Sequence, residues 1–329
     1  MPLRLSKIHL VYILAASHSG STLLAMLLGA HPEVCTVGEI KATSLGDVDN
    51  YLCSCRRKIQ NCPFWQRVSD DMARKGLPID FNNMGTDFRS IDSRYARRLL
   101  KPLLRGRSAE WLRDAALALS AVWRKQIKQI RHKNIELMDS ILLHTGKSVI
   151  VDSSKIGIRL KYLLKMDALD VRVIRLIRDG RAVALTYIDP ARFADAQDPN
   201  LRGGGSGGER ESERLSMEEA AREWKRSNEE AEAILRRMDR ERWVEARYED
   251  LCQSPGKALR ELAEFIGIDP SKTNLNFRLV EQHVIGNGMR LDDQDEIRLD
   301  DRWKRALSRS DLEVFDSVAG PTNRRLGYR

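Results

Sequence analysis

The sequence predicts an α/β protein with a central parallel sheet flanked by helices. Three observations carry this. A short apolar run rich in β-branched and aromatic residues stands at 8–16 (IHLVYILAA), and further strand candidates recur at 148–152 (SVIVD), 171–177 (VRVIRLI) and 243–248 (WVEARY). The first three run straight into loops of small or charged residues. Helix-like stretches lie between the runs, and strands alternating with helices favour parallel pairing because a parallel crossover needs a connection of helix length.

Taken in order, the first run ends at Ser17-His18-Ser19-Gly20-Ser21-Thr22. LLAMLLGA then reads as a helix that stops at Gly29 and the His31-Pro32 step. A long helical section precedes the second strand, with apolar residues at helical spacing around Trp111, Leu112, Leu117, Leu119, Val122 and Trp123. Trp111, Trp123 and Trp224 are expected in the core. RGGGSGG at 202–208 reads as a flexible loop and a hinge for a lid. Ser216 with Glu219 is a capping-box signature opening a helix from Met217 to about Met238. Ser254-Pro255 opens another helix, which Gly267 closes. The sequence shows no internal repeat and no domain-sized linker. One domain over 1–329 is therefore expected, with a basic helical insertion at about 66–147 and a flexible loop at about 189–215.

Composition narrows the class. With 42% hydrophobic and 31% charged residues, the 329-residue chain is neither disordered nor collagen-like. Ile8–Ala30 holds two histidines and several hydroxyl residues, so it does not read as a clean membrane span; a signal peptide is not expected, because the same residues read better as strand, small-residue loop and helix, and a cytoplasmic location is expected. Five cysteines fit a reducing compartment. The net charge of +9 is local: residues 89–133 hold thirteen Lys/Arg against three Asp/Glu. That block fits a solvated helical face, or a surface that draws an anionic acceptor or a membrane. Nucleic acid is the least supported partner, since no zinc-finger or RNP motif is present.

Two motifs carry chemistry. Small residues at 17–22, between a strand and a helix, let the backbone wrap an anion and aim successive N–H groups at it. The loop lacks the lysine of G-x-x-x-x-G-K-[ST], so it is not a nucleotide-triphosphatase loop. Arg178-Asp179-Gly180-Arg181 ends the third strand run, and Thr186 follows Arg178 by eight residues; an arginine and a hydroxyl so placed can grip one phosphate. No G-x-S-x-G appears. Cys53, Cys55 and Cys62 form C-x-C-x6-C before Pro63-Phe64-Trp65. A structural zinc site wants four ligands, and Cys35 offers only poor spacing for the fourth, so a locally packed loop is preferred and no metal is expected.

These motifs, in this order and with their flanks, resemble the sulfotransferases that use 3′-phosphoadenosine 5′-phosphosulfate (PAPS). SHSGSTLL at 17–24 resembles the family's 5′-phosphosulfate loop, and RDGRAVALTY at 178–187 its 3′-phosphate motif. RYEDL at 247–251, GNGMR at 286–290, Trp303 and the terminal RRLGY match further. SGSTLLAMLLGAHPEV followed by Gly38-Glu39 looks much like the tyrosylprotein members. The resemblance runs from residue 10 to the C-terminus and is weakest across 66–147 and 189–215. It implies a P-loop-like sulfotransferase fold.

The resemblance also assigns roles. Ser17, His18, Ser19, Gly20, Ser21, Thr22 and Leu23 would surround the 5′-phosphosulfate. Arg178 and Thr186 would hold the 3′-phosphate, with Tyr248, Asn287 and Arg290 completing the nucleotide site. Glu39 matches the carboxylate that acts as general base, and Lys155, in DSSK after the second strand, is a candidate to stabilise charge on the sulfonate or the bridging oxygen. The family places Lys or Arg where this chain has His18, so either His18 or Lys155 supplies the cationic role. PAPS is the implied co-substrate and no metal is needed. The acceptor is a hydroxyl on a carbohydrate, glycolipid, small molecule or peptide tyrosine. A nucleotide-binding homologue without turnover and a P-loop kinase are the alternatives. The oligomeric state stays open.

Overall fold

The computed structural model describes residues 6–41, 45–100, 107–194, 196, 198–204, 214–292 and 296–329. Strand β1 (Ile8–Ala15) leads into helix α1 (Ser21–Gly29), then β2 (Val34–Thr36). A helical section follows: α2 (Pro63–Arg74), α3 (Arg94–Leu100), α4 (Arg107–Leu119) and α5 (Ala121–Thr145). Then come β3 (Val149–Lys155), α6 (Gly157–Leu163), β4 (Leu169–Ile177), α7 (Gly180–Ile188), α8 (Pro190–Phe193), α9 (Met217–Leu235) and β5 (Trp243–Arg247). Helices α10 (Tyr248–Gln253), α11 (Pro255–Ile266), α12 (Trp303–Ala306) and α13 (Arg309–Arg325) complete the chain.

The five strands form one all-parallel sheet in the order β2-β3-β1-β4-β5. The four predicted strands are present; β2, three residues long, is too short to show a pattern. Both faces of β1 are covered, as its unbroken apolar run requires. Ile8, Leu10, Tyr12 and Leu14 enter one core with residues of α2, α5 and α6, whereas Val11 and Ile13 enter another with α1 and α11. The Ser216/Glu219 capping box opens α9, and Gly267, at φ 83°, closes α11. Positions 205–208 of the glycine loop lie outside the described residues. Among the described residues, no helix is long and apolar enough to cross a membrane.

The topology marks one edge. The chain leaves β1 toward the β2 side, and leaves β3 across β1 to β4. The carboxyl ends of β1 and β3 therefore flank a switch point, where open α/β sheets place ligands. Lys155 pairs with Leu14 in the ladder, and Leu176 with Ala15, so the loops after β1, β3 and β4 leave the sheet at one level.

The helical section corrects one expectation. Trp123 and Trp224 are buried, but Trp111 is 68% exposed, and Leu112, Leu119 and Val122 are exposed as well. Helix α4 docks through its charged face instead. Asp114 pairs with Lys161 at 2.8 Å, and Glu110 pairs with Arg237, beside the buried Leu117. That turns the tryptophan side outward. A buried polar tie also joins the section to the sheet. Arg159 donates to Asp152 Oδ2, the Thr86 carbonyl and Asn134 Oδ1, each at 2.8 Å, with Arg159 and Asp152 both essentially buried. Arg159→Leu leaves the Asp152 charge without its partner and is expected to cost about 3–5 kcal/mol in denaturant unfolding. A loss below about 1 kcal/mol, the worth of a surface pair, would contradict that reading.

Candidate active site

The loop after β1 is built for close approach. Gly20 precedes α1 at φ 85°, and a Cβ there would sit 2.4 Å from Tyr248 Cδ2, so only glycine fits. Helix α1 has no acidic residue in its first turn and no side-chain cap, which leaves its N-terminal N–H groups for a ligand. Ser21 and Leu23 are buried in that first turn; Ser17 and Thr22 are half-buried. Ser19 Oγ is buried without a hydrogen-bond partner among the described residues. An orphan hydroxyl beside a helix N-terminus fits an anion acceptor.

Arg178 leaves β4 and crosses to this loop. Its Nη1 donates to the His18 carbonyl at 2.8 Å, and its guanidinium lies 4.3 Å from the centre of the Tyr248 ring. Its Nη2 donates to Asp300 Oδ2 at 2.9 Å, and its Nε is buried without a partner among the described residues. Asp300 is the residue that sequence reasoning missed. It lies in the acid-rich stretch LDDQDEIRLDD, where nothing distinguishes one aspartate from the next. Burial pushes the Asp300 carboxyl up, but Arg302 and Arg178 hold it far below the usual carboxylate range. It is an anion seated on Arg178. Thr186, one helix further on, is buried with its hydroxyl donating to the Val183 carbonyl at 2.6 Å. The neighbouring Tyr187 meets the His18 ring edge-on at 4.8 Å.

The second half of the site joins β3 to the segment after β2. The Ser153 N–H donates to the Gly38 carbonyl at 3.0 Å, Ile40 N–H to Asp152 Oδ1 at 3.3 Å, and Lys41 N–H to Ser154 Oγ at 3.1 Å. Gly38, at φ 82°, bridges to Ile285; a Cβ there would lie 2.2 Å from the Ile285 carbonyl oxygen. Glu39 is thus held from both sides. Its carboxylate pairs with Lys155 and, at 3.4 Å, with Lys41. Burial raises its pKa, but the two ammonium groups outweigh this and hold it at about 2. His18, Arg56 and Lys155 are the non-glycine residues with positive φ among those described. Two of these three costly conformations fall on predicted catalytic positions.

The 286–290 segment lies against Glu39: a Cβ on Gly286 would sit 3.7 Å from Glu39 Cγ. Within it, Asn287 Nδ2 donates to the Ala194 carbonyl and its Oδ1 accepts from Met289 N–H. Arg290 departs from the sequence expectation. It is 2% exposed and donates to the carbonyls of Leu52, Val284, Gly286 and Asn287. A guanidinium so engaged fixes the segment's shape rather than facing a nucleotide. Near Arg302, a cavity of about 800 Å³ opens, lined by Arg192, Phe193, Arg214, Met217 and Arg305. Arg192, Phe193 and Arg214 come from the two ends of the 189–215 loop, and Arg305 from α12.

A model of the sulfotransferase family matches residues 11–272. The chain belongs to that family. Among solved structures, it is similar to the sulfotransferase domain from the curacin biosynthetic pathway, at 18% identity and a TM-score of 0.51, covering 99% of each chain. It is also similar to the sulfotransferase domain of the Synechococcus PCC 7002 olefin synthase, at 17% identity and a TM-score of 0.47, covering 97% of each chain. No curated protein sequence matches.

Proposed function

We propose that the chain moves a sulfuryl group from PAPS to a hydroxyl acceptor. One observation carries the reading beyond family membership: an anion-ready loop, an arginine already holding an anion, and a carboxylate paired with a lysine leave one sheet edge together. The residues fit the co-substrate's two anionic ends. The 17–23 loop, with the orphan Ser19 hydroxyl, takes the 5′ end. Arg178 takes the 3′-phosphate in place of Asp300, with Tyr248 packed beneath it and Thr186 nearby in sequence.

PAPS supplies the activated sulfuryl group. In the transfer, the acceptor oxygen bonds to sulfur as the bridging O–S bond breaks, and the electron pair leaves on the phosphate of the product nucleotide. Glu39 takes the acceptor's proton, and Lys155 offsets charge on the bridging oxygen. The ion pair links the two roles. An anion that draws Lys155 away loosens its hold on Glu39, whose pKa then rises, so the carboxylate gains basicity when the site fills. His18 contacts the 5′ end as a hydrogen-bonding group; its ring is not the site's only basic side chain, since Lys155 is present.

Incubation with sulfur-labelled PAPS and a pool of carbohydrate, lipid, phenolic and peptide hydroxyl acceptors tests the reading. Label is expected in at least one acceptor, with stoichiometric 3′,5′-ADP. Nucleotide binding with no transfer to any class would favour a homologue without turnover.

A further inference from the structure

The three cysteines before α2 do not stand alone. Cys53, Cys55, Cys62 and His283 bring their ligand atoms within 4.8 Å of one another. The contacts are Cys55 Sγ to Cys62 Sγ at 3.6 Å, Cys53 Sγ to Cys62 Sγ at 3.8 Å, and His283 Nδ1 to Cys62 Sγ at 3.4 Å and to Cys53 Sγ at 3.8 Å. A zinc tetrahedron with Zn–S of about 2.3 Å and Zn–N of about 2.0 Å has S···S edges of about 3.8 Å and S···N edges of about 3.5 Å. These four separations lie within about 0.3 Å of those edges. We propose that Cys53, Cys55, Cys62 and His283 form a structural Cys3His zinc site, which clamps the loop before α2 to the segment carrying Gly286 and Arg290.

The surroundings support a metal. The other nitrogen of His283, Nε2, lies 3.4 Å from Glu281 Oε1, the carboxylate partner that orients a metal-bound imidazole. The Phe64 ring stacks on His283 at 4.5 Å, with 4° between the planes, and fixes the ring orientation. Cys53 and Cys62 are fully buried, so the site is closed, as structural zinc sites are. Cys62 is the N-cap of α2, where the helix favours a thiolate. The turn between Cys53 and Arg57 doubles back through Arg56 at φ 63°, a conformation that a ligand clamp can hold. Three sulfurs cannot pair off as disulfides, and the chain's cysteines are all unbridged. Three thiolates, one imidazole and tetrahedral spacing suit zinc over the harder divalent ions.

The clamp bears on the active site without touching it. Ser54, between two ligands, donates to the Gln282 carbonyl and accepts from Val284 N–H, flanking His283 on both sides. Ile285 follows and pairs with Val37 beside Glu39. Tyr51 exchanges hydrogen bonds with Gly286. Removing the metal should therefore loosen the wall against which Glu39 rests.

Elemental analysis of the purified full chain should find about one zinc per chain. After exchange, cobalt(II) should give the visible bands of tetrahedral thiolate coordination. Cys62→Ser and His283→Ala should each lower zinc occupancy at least tenfold. The cobalt spectrum of the wild type needs no variant to fold. Wild-type protein without zinc that also gives no cobalt–thiolate spectrum would overturn the proposal. So would zinc retained in the Cys62→Ser/His283→Ala double variant, or a Cys55–Cys62 disulfide in protein purified under reducing conditions.

Discussion

Glu39→Gln is expected to lower kcat by about 10²- to 10⁴-fold, the usual worth of a positioned general base, and to leave the affinity for 3′,5′-ADP nearly unchanged. Glutamine keeps the shape and can still accept from Lys155 and Lys41, so the loss would report on proton transfer rather than on folding. The partner substitution moves a different quantity. In the wild type, Glu39 sits at about 2 and stays ionised over any ordinary assay range. Lys155→Ala removes a cation that favours the charged form, so the pKa rises toward the ordinary carboxylate value. The acid limb of kcat/KM must then move to higher pH. A limb that stays in place would remove Glu39 from the role of base. Equal losses of kcat and nucleotide affinity in Glu39→Gln would make it a binding residue.

Arg178→Ala is expected to weaken 3′,5′-ADP by about 10²- to 10³-fold, since one or two hydrogen bonds to a charged phosphate disappear, and to change AMP affinity little. Arg178→Lys should recover only part, because a point charge does not replace a planar fork. Asp300 makes the prediction sharper. It occupies the Arg178 fork at 2.9 Å, so it competes with any incoming phosphate. Asp300→Asn should therefore tighten 3′,5′-ADP while Arg178→Ala weakens it. If both weaken binding, Asp300 supports the site rather than holding its place.

Much of this was legible because apolar runs, small-residue loops and caps are local signals. β1, β3, β4 and β5 announce themselves, as does the loop at 17–22, and the family motifs carry Glu39, Lys155 and Arg178. The remainder depends on tertiary partners that no local pattern encodes. Arg290 sits in a matching motif, yet its side chain turns inward onto four carbonyls. The apolar positions of α4 suggested a buried tryptophan, but the ion pairs of Glu110 and Asp114 chose the opposite face. His283 lies 221 residues beyond Cys62, so no spacing rule joins it to the cysteines. Cys35, the nearer cysteine, is instead a strand residue in β2 paired with Ile150.

A nucleotide site that reads the 3′-phosphate is tested most directly by calorimetric titration of the wild-type chain with 3′,5′-ADP and with AMP. Such a site binds 3′,5′-ADP tightly and AMP more weakly by about two orders of magnitude, the worth of the charged contacts to Arg178. Equal affinity for the two nucleotides would contradict it.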